Sequence, residues 1–161
     1  MLRQTHAQLI DIKQWADRGL CATIEANLGR LDAEAVTLLV RVLDHIHAVD
    51  RIFQHHLQGL PHAYAAARSE FLPDLQTLMQ DIDRVDAWYA AYVRGLAAED
   101  LDQPVDFVFT SGRRARMRRG EILLHVCLHG TYHRGNAGAV LQLKGFAPSR
   151  DAITDYLEDA A

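Results

Sequence analysis

The sequence is poor in glycine, proline and cysteine, and each shortage excludes a class of protein. Only 10 glycines and 4 prolines occur among 161 residues, too few for the many turns of an all-β chain. The two cysteines, Cys21 and Cys127, lie far apart and form no disulfide framework, which favours a cytoplasmic protein. No apolar run reaches the roughly 18 residues of a membrane span, so we expect no membrane association.

Neither sign of charge is in large excess over the whole chain. The net charge is −4, and 49% hydrophobic with 24% charged residues is an ordinary globular balance. The length fits one domain covering residues 1–161. A local basic run contains Arg113, Arg114, Arg116, Arg118 and Arg119. The acidic total and the lack of interleaved aromatic residues nevertheless weigh against nucleic-acid binding.

Apolar residues recur at helical spacing in four long segments. The predicted helices run from about residue 2 to 28, from a cap at Asp32 to about 57, from a start between 68 and 74 to 95, and from about 121 to 144. A short helix is expected at 151–157. The stretch from Gly59 to Ser69 is long enough to cross the bundle, so the second and third helices could run parallel.

A short segment before the last long helix breaks the helical period. Val105, Phe107 and Phe109 alternate with other residues, and Ser111-Gly112 is a turn signal. This pattern predicts a small β-hairpin within residues 104–118. The expected fold is therefore all-α, a four-helix bundle with a hairpin insertion.

Histidine is the residue in excess, with nine in the chain. His125, His129 and His133 are spaced four apart on the fourth helix and so share one face. A zinc-protease motif would need a Glu directly after its first His, and Val126 and Gly130 stand there instead. All three rings would span about 12 Å, so two of them plus a histidine from another helix make the better ligand set.

The second helix offers the further histidine but does not say which one. His45 and His47 lie on opposite flanks of its apolar stripe, about 200° apart around the helix. Periodicity leaves both possible as the third ligand.

Three segments resemble one known family, the DNA-damage-inducible, YfiT-like metalloenzymes called the DinB family. Residues 123–136 are similar to the family's H-x-x-x-H-x-x-x-H-R-G-Q stretch, and residues 43–53 to its N-H-(I/L)-x-x-x-D-R-(I/L)-W stretch. Residues 13–17 resemble, more weakly, its first-helix motif Y-N-x-W-A-N. Two positions depart from these patterns, since Asn136 stands for Gln and Asp44 for Asn.

The resemblance implies an up-down-down-up bundle with one divalent metal ion held by three histidines. Carried over position by position, the ligands are His45, His129 and His133. His45 is preferred to His47 because it stands five residues before Asp50, as the family pattern requires. Imidazole suits zinc, nickel, copper and iron, of which we expect zinc or nickel. A homodimer through the first or fourth helix is also expected, from the resemblance and from the small residues of the fourth.

Four further residues are candidates to support the ligands or to line the pocket. They are His125, Asp50, Tyr132 and Arg134. Asp50 could orient a histidine or pair with an arginine, and Arg134 could hold an anionic substrate or form a structural ion pair.

The expected activity is transfer or isomerisation of a small-molecule substrate with a low-molecular-weight thiol. Three histidines leave open positions on the metal, as catalytic sites do. A metal-dependent hydrolase and a non-catalytic, metal-binding regulatory dimer are the alternatives. No carboxylate stands where a general base for water would be obvious, which slightly favours the thiol chemistry.

Overall fold

A computed structural model describes residues 2–160 and contains four long helices, one hairpin and a short last helix. The elements are α1 (Leu2–Asn27), α2 (Ala33–Gln58), α3 (Leu75–Gly95), β1 (Pro104–Val108), β2 (Arg114–Arg118), α4 (Arg119–Leu143) and α5 (Ile153–Asp159). Short 3₁₀ turns, which the sequence analysis did not predict, lie at Leu28–Arg30 and Glu99–Asp102. None of the helices in this part of the chain combines the length and hydrophobicity needed to cross a membrane.

The helix ends follow from local side-chain chemistry. The Asp32 carboxylate accepts a hydrogen bond from the Ala35 amide at 2.8 Å, which confirms the predicted cap of α2. Asp74 caps α3 in the same way through Thr77, so α3 begins at the late end of the predicted range. Gly59 has a φ of 67°, a left-handed conformation that ends α2.

Contacts between the helices establish the up-down-down-up order. Helices α1 and α3 are antiparallel. Arg3 at the start of α1 donates to the Leu96 carbonyl at the end of α3, and Gln76 at the start of α3 donates to Glu25 near the end of α1. The pair α2 and α4 is likewise antiparallel, because Lys144 reaches Asp32 while the rings of Phe53 and His125 meet. Helices α1 and α4 are parallel neighbours, because Gly120 lies beside His6 and Gly130 lies beside Lys13. The order expected from the family resemblance is therefore confirmed.

Two long connections follow from this order. Residues 59–74, here called the crossover, run from the end of α2 to the start of α3 at the other end of the bundle. The hairpin joins α3 to α4, with Val105 opposite Met117 and Phe107 opposite Ala115. Phe107 is buried and its ring contacts Phe53, so the hairpin closes one end of the core.

The core is divided into two apolar halves by a layer of buried charge. One half surrounds Phe53 and Tyr89, and the other surrounds Leu20 and Leu141. Five charged side chains lie between them, each at most 3% exposed, and we call them the charge layer: Lys13, Asp17, Asp50, Asp86 and Arg134. Every long helix contributes to this layer.

Lys13 is the centre of the charge layer. Its Nζ lies 2.7 Å from Asp17, 2.8 Å from Asp50 and 2.5 Å from Asp86. Arg134 extends the layer by pairing with Asp17 at 3.0 Å and with Asp151 at 2.8 Å. Because a buried charge needs opposite charge close by, these contacts fix the helices relative to one another.

Removing the central cation should therefore destabilise the fold more than neutralising one carboxylate. Lys13→Met leaves three buried carboxylates with Arg134 alone, and we expect the free energy of unfolding to fall by about 3–5 kcal/mol. Burial raises the pKa of Asp86 well above its usual value against the effect of Lys13. The neutral Asp86→Asn should therefore cost only about 1 kcal/mol or less. Urea unfolding followed by circular dichroism measures both, and equal losses would contradict this account of the layer.

Candidate metal centre

Three imidazoles from two helices meet beside the charge layer, and we call them the histidine triad. His45 comes from the middle of α2, and His129 and His133 from one face of α4. One ring nitrogen from each lies within 4.8 Å of the other two. The Nε2 atoms of His45 and His129 are 3.1 Å apart. The ring centroid of His133 lies 4.4 Å from that of His45 and 4.5 Å from that of His129.

These separations fit ligands that share one metal ion. A histidine nitrogen binds zinc at roughly 2.0–2.1 Å, so two nitrogens 3.1 Å apart could bind one ion at an angle of about 100°. Two neutral imidazoles whose Nε2 atoms face each other can share a proton in a hydrogen bond, or both can bind the same cation. The donor set is all nitrogen, which suits zinc, nickel, copper and iron better than magnesium or calcium.

The crossover determines which nitrogen of His45 faces the other two rings. Nδ1 of His45 lies 2.7 Å from the Ala67 carbonyl oxygen, and only a protonated Nδ1 can donate to it. The lone pair of the neutral ring is therefore on Nε2, the atom that points at His129. A hydrogen bond of this kind typically fixes the tautomer and orientation of a ligating histidine.

The crossover is held in place by the residue that precedes His45. The Asp44 carboxylate accepts from the Ser69 backbone amide at 2.9 Å and from its hydroxyl at 2.6 Å. Asp44 is only 5% exposed, and an Asn there could not accept from both groups with two equivalent oxygens. The sequence shows Asp44 as a departure from the family pattern, but it gives no sign that Ser69 is its partner.

Burial keeps the α4 members of the triad neutral. It lowers the pKa of His129 to about 3, with smaller contributions from His133 and His45. Burial also lowers the pKa of His133, and the neighbouring His45 adds to the effect. Both rings are therefore neutral at neutral pH, as a histidine that binds a metal ion must be.

Two other histidines lie near the triad without joining it. The ring centroid of His125 lies 5.7 Å from that of His129 and 4.8 Å from that of Phe53, so it extends the row of rings along α4. His47 faces the other flank of α2, and burial lowers its pKa to about 4. The structure thus brings His45, not His47, to the pair on α4.

Asp50 and Arg134 belong to the charge layer, and of the two only Asp50 departs from its expected roles. Asp50 pairs with Lys13 at 2.8 Å, not with an arginine or a histidine, because α1 places that ammonium group at the bundle centre. Arg134 donates to Asp17, Asp151 and Thr131, so its guanidinium is occupied within the chain. Of the two roles considered for Arg134, the structure shows the structural ion pair.

Tyr132 lies at the outer edge of the triad. Its side chain is 69% exposed, and its ring centroid lies 5.0 Å from that of His133. It is therefore available to contact a molecule that approaches His133 from solvent. Asn136 lies on the same side, with its Nδ2 3.4 Å from Nδ1 of His133.

The triad contains no carboxylate ligand among the residues that the structure describes. A second group of possible ligands, Asp17, Asp50 and Asp86, surrounds the Lys13 ammonium, which already supplies the positive charge there. The three histidines alone would leave positions on a metal ion open to a water, a thiol or a substrate, as catalytic sites do.

Comparison with known proteins shows similarity to a family profile along nearly the whole chain and to a named bacterial protein. The profile of the DinB family matches residues 1–160. The protein named Protein DinB from Bacillus subtilis (strain 168) is 32% identical over 120 residues, which cover 71% of this chain and 67% of that protein.

Alanine variants test the triad directly. We expect His45→Ala, His129→Ala and His133→Ala each to lower metal affinity by more than 100-fold, since loss of a supporting contact alone typically costs 10–100-fold. His47→Ala is the matched control, because it removes a half-buried ring of the same helix outside the triad. Equilibrium dialysis with elemental analysis measures bound metal. Retention of metal by His45→Ala with loss by His47→Ala would contradict the assignment.

Proposed function

Because this chain belongs to the DinB family, we propose that it is a cytoplasmic enzyme whose histidine triad holds one divalent ion, zinc or nickel. Its proposed reaction uses a low-molecular-weight thiol to transfer a group to, or to isomerise, a small electrophilic substrate. The observation that carries the proposal is the convergence of three imidazole nitrogens from α2 and α4.

The residues around the triad support a metal-binding role. His45 is oriented by Ala67, and the lowered pKa values of His129 and His133 keep both rings ready to ligate. An open divalent ion lowers the pKa of a bound thiol or water and so supplies a nucleophile near neutral pH. Tyr132 and Asn136 flank His133 on the solvent side, where a substrate would enter.

The thiol would have to come from outside the chain. Burial raises the pKa of both Cys21 and Cys127 to about 12, so neither side chain forms a thiolate at neutral pH. Both are free cysteines, which accords with a reducing compartment.

Hydrolysis is the less favoured reaction because the nearby carboxylates are already engaged. Asp44 accepts two hydrogen bonds from Ser69, and Asp50 is paired with Lys13 in the core. Neither is free to take a proton from water at the triad. A non-catalytic, metal-binding regulatory protein would have the same triad without turnover.

Thiol dependence distinguishes these functions. With zinc- or nickel-loaded protein, we expect an electrophile panel to be consumed only when glutathione, bacillithiol or mycothiol is present. His129→Ala should abolish the reaction, whereas His47→Ala should retain it. Ester or amide hydrolysis without any thiol would favour the hydrolase. Bound metal without either activity would favour the regulatory protein.

We also propose that the protein forms a homodimer through the outer face of α4. Leu124 and Leu128 are 37% and 70% exposed and lie four residues apart on that face. Gly130 and Gly138 do not serve this face. An added Cβ at Gly130 would lie 2.8 Å from the Arg134 guanidinium, and one at Gly138 would lie 3.3 Å from Pro148, so both glycines serve packing within the chain.

A charge at the centre of this face should separate the dimer. We expect Leu128→Glu to give the monomer mass in light scattering at micromolar concentration, while the unaltered protein gives twice the chain mass. Leu60→Glu is the control, because Leu60 is 51% exposed but lies on the crossover. A monomeric mass for the unaltered protein would refute the dimer.

A further inference from the structure

A second polar pocket lies on the flank of α2 that faces away from the histidine triad. Its volume is about 350 Å³, and it lies between α2, α3 and the crossover. Its polar lining includes Arg51 and Gln54 from α2, Tyr64 from the crossover and Arg84 from α3. We call it the arginine pocket. His47 also lines it, on the opposite side of α2 from His45.

Arg51 is a cation without a counter-ion. Its Nη1 donates to Gln54 Oε1 at 2.5 Å, and Tyr64 lines the same pocket. No carboxylate of residues 2–160 pairs with it, unlike Arg94 and Arg116, which each pair with an aspartate. A half-buried guanidinium that makes one hydrogen bond to a neutral amide retains donors for an anion.

The rest of the pocket adds an ion pair and hydrogen-bonding groups. Arg84 and Asp81 both line the pocket and pair with each other at 3.2 Å, with 69% and 38% of their side chains exposed. The three charges sum to +1, so an anion with a single charge would balance the pocket. The planar fork of an arginine matches the paired oxygens of a carboxylate or a phosphate.

We propose that the arginine pocket binds a small oxyanion, the phosphate or carboxylate group of a ligand, through the Arg51 guanidinium. Arg84 contributes a screened second charge, and the Tyr64 hydroxyl and the Gln54 amide supply further hydrogen bonds. The pocket does not include the histidine triad, so this binding requires no metal ion and does not depend on the proposed thiol chemistry.

Titration of the full-length, zinc-loaded protein with inorganic phosphate and with acetate tests the proposal. At constant ionic strength held with chloride, we expect saturable shifts in the backbone amide resonances of Arg51, Tyr64 and Arg84. Arg51→Gln should weaken binding at least tenfold, as expected for loss of a charge-assisted hydrogen bond. Arg84→Gln should weaken it about two- to threefold, because that side chain is exposed and screened.

Two further variants complete the test. Arg51→Lys keeps the charge but loses the fork, so it should bind less tightly than the unaltered protein and more tightly than Arg51→Gln. It also remains informative if Arg51→Gln fails to fold. Arg94→Gln removes an exposed arginine from the same helix as Arg84, outside the pocket, and should leave anion affinity unchanged.

The relative affinities of the two anions identify the ligand class. Tighter phosphate binding indicates a phosphorylated ligand, and tighter acetate binding indicates a carboxylate. The proposal is overturned if neither anion gives saturable shifts at about 50 mM, well above a millimolar dissociation constant. Equal affinity in Arg51→Gln and the unaltered protein also overturns it, as do shifts confined to His45, His129 and His133.

Discussion

The ammonium group of Lys13, buried among three carboxylates, constrains the arrangement of the whole bundle. A charge this deep is tolerated only with opposite charges in direct contact, and the contacts here come from α1, α2 and α3. Arg134 brings α4 into the same layer through Asp17. A shift of any helix along its axis would separate a buried ion pair. The same shift in a purely apolar core would cost less free energy.

The histidine triad depends on the position of this layer. His133 directly precedes Arg134, and His45 stands five residues before Asp50, so each helix that supplies an imidazole also supplies a charge to the core. Gly130 allows the two arrangements to coexist, because a side chain there would meet the Arg134 guanidinium at 2.8 Å. Burial raises the pKa of Asp50 to about 6, against the opposing effect of the neighbouring Lys13 ammonium.

The helices could be predicted from the sequence because apolar periodicity and capping residues are local signals. Helix α2 begins after Asp32 and ends before Gly59 as expected, and the alternation around Phe107 predicted the hairpin. The spacing of His129 and His133 likewise places two rings on one face. The partner of Asp50, Lys13, was not predictable, because lysine is usually a surface residue. Its burial becomes evident only when the packing of the four helices is known. The contact of Ala67 with His45 was hidden for a related reason, since the crossover has no periodicity that would place its carbonyl groups.

The dependence of His45 on the crossover has a kinetic consequence. The ring is held by a carbonyl of a segment that has no helix or strand of its own, and that segment is fastened beside it by Ser69 and Asp44. Such segments open in local fluctuations that cost far less than unfolding the helices behind them. If an ion is held by His45, release of the crossover would free that ring from the Ala67 carbonyl and so would ease exchange of the ion with solution. The stability of the four helices would therefore not set how long a bound ion stays.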